Sequence, residues 1–268
     1  RLSLVGSEMC IRDRFRGRSN RNNWINDWKN YMQQNIIDLD CDKNDFCNIN
    51  DKLIKTIEIK LNNDNKVVQK GGTTEGLKYL KSFLNDRFKN YQNDISKPMK
   101  SRRSCSRLSP YFAWGNLSTR YVWQLAKNEV SRGKSRFHLN SFTSRLRWQA
   151  HFIQKFEMES EIEFRSMNKG YSKLNKKINN KLISAWKLGK TGYPLVDASM
   201  RCLISTGYIN FRMRALLVSF LTHHLWQPWQ EGVEYLASLF LDFEPGIHYP
   251  QFQMPVSYTH LTLPTTLV

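Results

Sequence analysis

From Arg212 onward the apolar residues Met213, Leu216, Leu217, Phe220 and Leu221 recur every third or fourth position, the period of an α-helix. The set takes up most of the helix circumference, so the pattern predicts a helix over about 210–225 that is buried on nearly all sides. Arg201, Arg212 and Arg214 lie in or beside it. A buried guanidinium keeps its charge, so an anion must face it. The same periodicity predicts a short amphipathic helix near 24–32. A second helix is expected over about 75–91, capped by Thr73 or Thr74, with Leu77, Leu80, Phe83 and Leu84 on one face. Further helices are expected over 118–131 and 141–163, capped by Ser118 and Ser141, and over 180–188, 194–205 and 229–241. A polar connector rich in Asn, Asp and Lys runs to about Lys70. A basic, serine-rich turn spans 100–109 after Pro98, and a polar loop spans 168–180. No alternating strand pattern and no internal repeat is found. The chain from Gly72 on reads as all-α.

Composition and charge narrow the setting. The formal net charge is +18, which favours a polyanionic partner, nucleic acid ahead of an anionic membrane. The chain has five cysteines, whose spacings fit neither a zinc pattern nor a disulfide framework. A reducing cytoplasm, no metal and no membrane span are the expectations. The two ends need separate treatment. Met9 to Asp13 can be encoded by ATG TGT ATA AGA GAC, whose reverse complement reads Val-Ser-Tyr-Thr-His, the residues Val256 to His260. Inverted copies at both ends point to adapter-derived sequence, so residues 1–14 and 256–268 are set aside from fold reasoning. The rest is expected to divide into 15–70, an end piece and linker, and 71–255, a helical domain.

Four stretches carry a resemblance: "SRLSPYFAWGNLSTRYVW" at 106–123, "GKTGYPLVDASMR" at 189–201, "TGYINFRMR" at 206–214 and "FLDFEPGIHYPQFQM" at 240–254. Together they resemble the photolyase/cryptochrome family, in its helical FAD-binding domain, over about 71–254. The resemblance implies an all-α, C-terminally truncated flavin domain, with 15–70 the end of an α/β antenna domain that is otherwise lacking. An antenna chromophore would belong to that lacking domain. Chemically, Ser106-Arg107-Leu108-Ser109 offers hydroxyls and backbone N–H groups beside a guanidinium, which suits a phosphate. By resemblance this turn holds the FAD phosphates together with Tyr91, while Cys105 stands where a Thr is usual. Phe142, Gln149, Phe211, Glu244 and His248 are further implied FAD contacts. Arg214, paired with Asp242, is implied to lie beside the isoalloxazine ring and to stabilise its reduced, anionic form.

The resemblance also implies an activity, and departures from the family fall on it. The implied function is blue-light-driven repair of pyrimidine photolesions by electron transfer from excited reduced FAD, with UV-damaged DNA bound mainly through phosphates by a monomer. The alternative is a cryptochrome-like photosensor without repair. Trp148 matches the Trp that stacks on the extruded lesion. Arg145 stands where a lesion-contacting Glu is usual, Phe211 replaces an Asn, and Met254 replaces a second stacking Trp. His248 occupies the position facing flavin N5, usually Asn, and a His there can exchange a proton near neutral pH. In the electron relay Trp229 matches the middle member, Phe252 replaces the flavin-proximal Trp, and Lys176 falls near the surface one. Trp186, Trp226, Tyr208 and Tyr249 are possible substitutes.

Overall fold

The computed structural model describes residues 22–36, 67–170 and 174–258, the side chains of 255–258 excepted. The connector expected from 37 to 66 and both set-aside ends, apart from 256–258, lie outside the described residues. Twelve helices are labelled in chain order. The first six are α1 Trp24–Gln33, α2 Thr73–Asn85, α3 Tyr91–Asp94, α4 Pro98–Ser104, α5 Ser109–Ala113 and α6 Thr119–Ser131. The others are α7 Arg136–Met158, α8 Asn180–Lys187, α9 Pro194–Thr206, α10 Phe211–Ser219, α11 Gln230–Leu239 and α12 Pro245–Tyr258. No strand occurs among the described residues.

Two large apolar cores form along α7, and a small third joins Trp24, Trp28 and Met32 of α1 to its Ala150. The first gathers Leu80, Phe83 and Leu84 of α2, Leu108, Tyr111 and Val122, against Leu139, Phe142 and Leu146 of α7. The second is built from α8–α12 around Trp186, Met200, Leu217, Leu221 and Leu236, with Phe156 of α7 packed against it. Trp186 is wholly buried and its indole N–H donates to the Leu217 carbonyl at 3.1 Å, so its one polar atom is satisfied inside the core.

Several expected boundaries move, each for a local reason. The helix expected to run to Tyr91 ends at Asn85, with a 3₁₀ turn over Arg87–Asn90 and one α-turn at α3. The Arg87 guanidinium turns back there, donating to the Tyr79 carbonyl at 2.7 Å. Gly72, not Thr73 or Thr74, precedes α2, and no side chain caps it. Half of the expected basic turn is the helix α4, begun by Pro98, whose fixed φ suits the first helical turn. Ser141 caps nothing: α7 begins at Arg136, and Ser141 Oγ donates to Gln92 Oε1 instead. Ser118 does cap α6, accepting from the Tyr121 N–H at 3.4 Å. Asn210 caps α10, accepting from the Met213 N–H at 3.0 Å. The helix after Arg212 continues as a π-helical turn over Phe220–His224. It is buried from Leu217 to Thr222 apart from half-buried Ser219, while Phe211 and Arg212 are exposed, so all-round burial holds only for its second half. The helix α12 was not expected at all.

Two glycines fix how α12 enters. Gly207 closes α9 in the left-handed region at φ 64°, and its carbonyl accepts from the Leu241 N–H at 3.0 Å. Gly246 lies against α7, where an added Cβ would come within 2.8 Å of Ile153 Cα, a backbone atom that cannot rotate away. Gly246→Ala is therefore expected to lower stability by about 1–3 kcal/mol, the range for overpacking, read as a reduced urea midpoint at unchanged slope.

Candidate cofactor site

The turn between α4 and α5 is shaped by a single side chain. Arg87 donates to the carbonyls of Arg103 at 3.5 Å and Ser106 at 3.2 Å, and also to that of Cys105. Carbonyls drawn to one side leave the N–H groups of the turn directed elsewhere. Among the described residues, the N–H groups of Ser106, Arg107 and Leu108 and the hydroxyls of Ser106 and Ser109 have no hydrogen-bond partner. Arg107 sits at φ 60°, an uncommon setting for a side-chain-bearing residue that lets successive N–H groups converge. Its guanidinium stacks on the Tyr208 ring at 3.9 Å and donates to Gln69 Oε1 at 3.0 Å, while its Nε is buried and unpartnered. Leu108 is wholly buried, so it contributes only its backbone.

Neutral groups back this turn. Burial pushes the Tyr91 phenol well above its ordinary value, the Cys105 thiol up to about 11 and the Tyr208 phenol up to about 12. All three stay protonated at neutral pH, so none competes with a bound anion for the donors. Tyr91 is held by Phe142 and Phe83, with ring centroids at 5.8 and 5.7 Å.

Tyr208 lies within electrostatic reach of Arg107, Asp242 and Arg214. Arg214 Nη2 donates to both oxygens of Asp242 at 2.7 Å, and its guanidinium lies over the Phe240 ring at 3.9 Å. The Asp242 side chain is 6 % exposed, so the anion demanded by the apolar helix is this carboxylate. Breaking a buried pair leaves an uncompensated charge, which makes the position strongly determined. Arg201 instead donates to the Gly189 carbonyl at 2.6 Å, and exposed Arg212 bonds Ser96 at 3.4 Å. Glu244 accepts the N–H groups that open α12, those of Ile247 and His248, on its backbone carbonyl at 2.9 and 2.8 Å.

His248 lies inward among aromatic rings. Its ring contacts Phe243, Tyr249, Phe252 and Phe240 at 5.4–5.9 Å, and Nε2 donates to the Val233 carbonyl at 2.9 Å. That bond spends the Nε2 proton and leaves Nδ1 as the acceptor. Burial, outweighing the bond to Val233, drops its pKa to about 4, so the ring is neutral at physiological pH and is not the poised proton carrier expected from residue type. Trp148 and Phe211 are 48 % and 45 % exposed, Arg145 is exposed, and Gln149 and Met254 are half-buried. Trp229 is buried, 6.3 Å from the Phe252 ring, and donates to Ser166 Oγ at 3.2 Å. Lys176 donates to the Thr222 carbonyl at 2.6 Å and sits 4.4 Å from the Trp226 ring. Sequence reasoning missed Arg87 and Gln69 altogether; neither sits in a motif, and only the folded turn reveals them. No group of His, Cys, Asp and Glu among the described residues forms a metal site.

The candidate site thus combines an open-donor turn, a buried arginine–aspartate pair and neutral aromatic groups within a helical domain. Residues 142–265 match the FAD binding domain of DNA photolyase. The chain is 30 % identical over 186 residues to a deoxyribodipyrimidine photo-lyase of Alkalihalophilus pseudofirmus, covering 69 % of this chain and 38 % of that protein. It is 31 % identical to cryptochrome DASH of Synechocystis, over 65 % of this chain and 36 % of that protein. Among solved structures, a bacterial class III photolyase from Agrobacterium tumefaciens superposes with a TM-score of 0.65 at 28 % identity, covering 68 % of this chain and 37 % of that one. Residues 142–265 belong to the FAD-binding domain of the photolyase/cryptochrome family, and the cofactor is FAD. The chain spans less than two fifths of the length of these relatives.

The buried imidazole gives a pH signature. The unfolded chain binds a proton on His248 near 6.5 and the folded chain only near 4, so stability is lost as pH falls through that window. His248→Asn should flatten the dependence of unfolding free energy between those pH values, by up to about 1.4 kcal/mol per pH unit, in urea titrations at stepped pH.

Proposed function

We propose that the chain is the flavin-binding part of a blue-light-driven DNA photolyase acting on pyrimidine photolesions. The observation that carries this reading is the turn at 106–109, whose unpartnered donors share Tyr208 with the Arg214–Asp242 pair. Bound FAD supplies the light-driven electron. The turn and Arg107 bind its phosphates, and Tyr91 and Phe142 close that end with neutral groups. Arg214, fixed by Asp242, would hold positive charge toward the ring and favour its reduced, anionic form, in a site that burial keeps low in dielectric. Phe211, Gln149, Glu244 and His248 border the ring, and His248 offers a lone pair rather than a proton. Exposed Trp148 stacks on the extruded base, and Arg145 beside it meets the phosphate backbone. The protein acts as a monomer in the cytoplasm.

A second reading, a cryptochrome-like photosensor, is favoured by Arg145, Phe211 and Met254, which replace residues usual in repair. Lesion repair under blue light separates the two. The intact protein is expected to restore cyclobutane-dimer DNA, and Trp148→Ala to weaken lesion binding by about tenfold or more, the stacking energy of one base. Light-dependent flavin reduction without any repair establishes the photosensor instead. Binding to duplex should also fall steeply as salt rises, because phosphates dominate the contact; a flat log K against log[salt] removes DNA as a partner.

The electron path into the flavin gives a further expectation. Phe252 is hard to oxidise, so it cannot serve as the first donor beside the ring. Photoreduction of oxidised FAD by an external thiol is therefore expected to be slow in the intact protein, faster in Phe252→Trp and slower still in Trp229→Phe. Fast reduction unchanged by either substitution means that the electron enters by another route.

A further inference from the structure

Away from the candidate site, α1, α6 and the first half of α7 enclose a groove of about 780 Å³. Each helix places one cation on its wall: Lys29 from α1, Lys127 from α6 and Arg147 from α7. Among the described residues, no carboxylate contributes to the lining, and none of the lining residues belongs to the candidate site. The cations lie close enough to disfavour one another. The Lys127 ammonium is pushed down first by burial and then by Lys29 and Arg147. One of its protons goes to Asn140 Oδ1 at 2.9 Å, leaving the others free.

A second, independent observation comes from Trp28. Its side chain is 3 % exposed, it lines the groove, and its indole N–H has no hydrogen-bond partner. A buried donor left unpaired costs about 1–3 kcal/mol, and cations held together without a counter-charge cost more. The chain tolerates both at one place, and an oxyanion there relieves both at once. Cations approaching from three helices suit an anion that presents oxygens in several directions, as a phosphate does and a carboxylate does not. The volume falls within the range of small-molecule sites and far exceeds what an inorganic ion needs, so the phosphate carries an organic part.

We propose that this groove binds a phosphate-bearing ligand of nucleotide size, its phosphate between Lys29, Lys127 and Arg147. The ligand is either a free nucleotide or one unit of a nucleic-acid strand, and the proposal does not depend on flavin binding or on lesion repair.

The test is calorimetric titration of the full chain with AMP, with a short single-stranded oligonucleotide and with inorganic phosphate. The Trp28 indole N–H resonance is followed in parallel and assigned with Trp28→Phe. Saturable binding of AMP or the oligonucleotide is expected, with movement of that resonance. Loss of two charge-assisted hydrogen bonds in Lys127→Gln/Arg147→Gln should weaken it at least about tenfold at unchanged thermal midpoint. AMP binding identifies a free nucleotide as the source, and binding of the strand alone identifies nucleic acid. No saturable binding, binding of inorganic phosphate alone, a stationary indole resonance, or undiminished binding in the double variant overturns the proposal.

Discussion

The pairing of Arg214 with Asp242 is the contact on which the cofactor half of the molecule depends. It joins the first turn of α10 to the loop between α11 and α12, two segments 28 residues apart. A guanidinium cannot neutralise itself when water is withdrawn, so the loop has to bring a carboxylate to it. Once Asp242 is fixed, its neighbours follow. Leu241 donates to the Gly207 carbonyl, and its own carbonyl accepts from the Trp114 indole at 2.8 Å. The chain then enters α12 against α7 at Gly246, which sets the depth of His248, Phe252 and Gln253. Gln253 completes the anchorage, donating to the carbonyls of Ile162 and Arg165 at 2.6 and 3.0 Å.

The other half is organised by a different guanidinium. Arg87 acts on backbone rather than on a charge, collecting carbonyls from α2 and from the turn before α5. Burial lowers its pKa, yet an arginine retains its proton, so the cost of desolvation is offset by those carbonyls, the Ser82 hydroxyl and the rings of Tyr79 and Phe83. Fixing carbonyls on one side of a turn frees N–H groups for the other. The open donors at 106–109 are therefore a matter of backbone direction as much as of the serines and Arg107. Tyr208 links the halves: its ring lies under Arg107, and it stands within electrostatic reach of Arg214 and Asp242.

The departures at Arg145, Phe211, Met254, His248 and Phe252 fall into two environments. Arg145 and Phe211 face solvent, and Met254 is half-buried, so their substitution changes what can be met at the surface without disturbing the core. His248 and Phe252 are buried in one aromatic cluster, where a charged imidazole is disfavoured and a phenyl ring stands beside the Trp229 indole.

Much of this was legible in the sequence, because period and caps are local. The apolar spacing of 75–84, 118–131, 180–188 and 194–205 marked those helices, and the Ser118 cap needs only its own first turn. The Arg214–Asp242 pair and the SRLS turn were legible through ordered motifs, since a buried charge limits what residue can stand at each end. Other features were decided by packing across long separations. Ser141 reads as a cap, but Leu139 and Phe142 have an apolar core to fill, so the helix starts before it. Arg87 belongs to no motif, and its partners lie up to 19 residues away around a turn. His248 reads as a titratable loop residue, yet Val233 and four aromatic rings close around it and hold it neutral. The cations of the groove come from three helices remote in sequence, and only the tertiary structure brings them to one wall, because electrostatic repulsion among them is paid by packing elsewhere and leaves no trace in any local pattern.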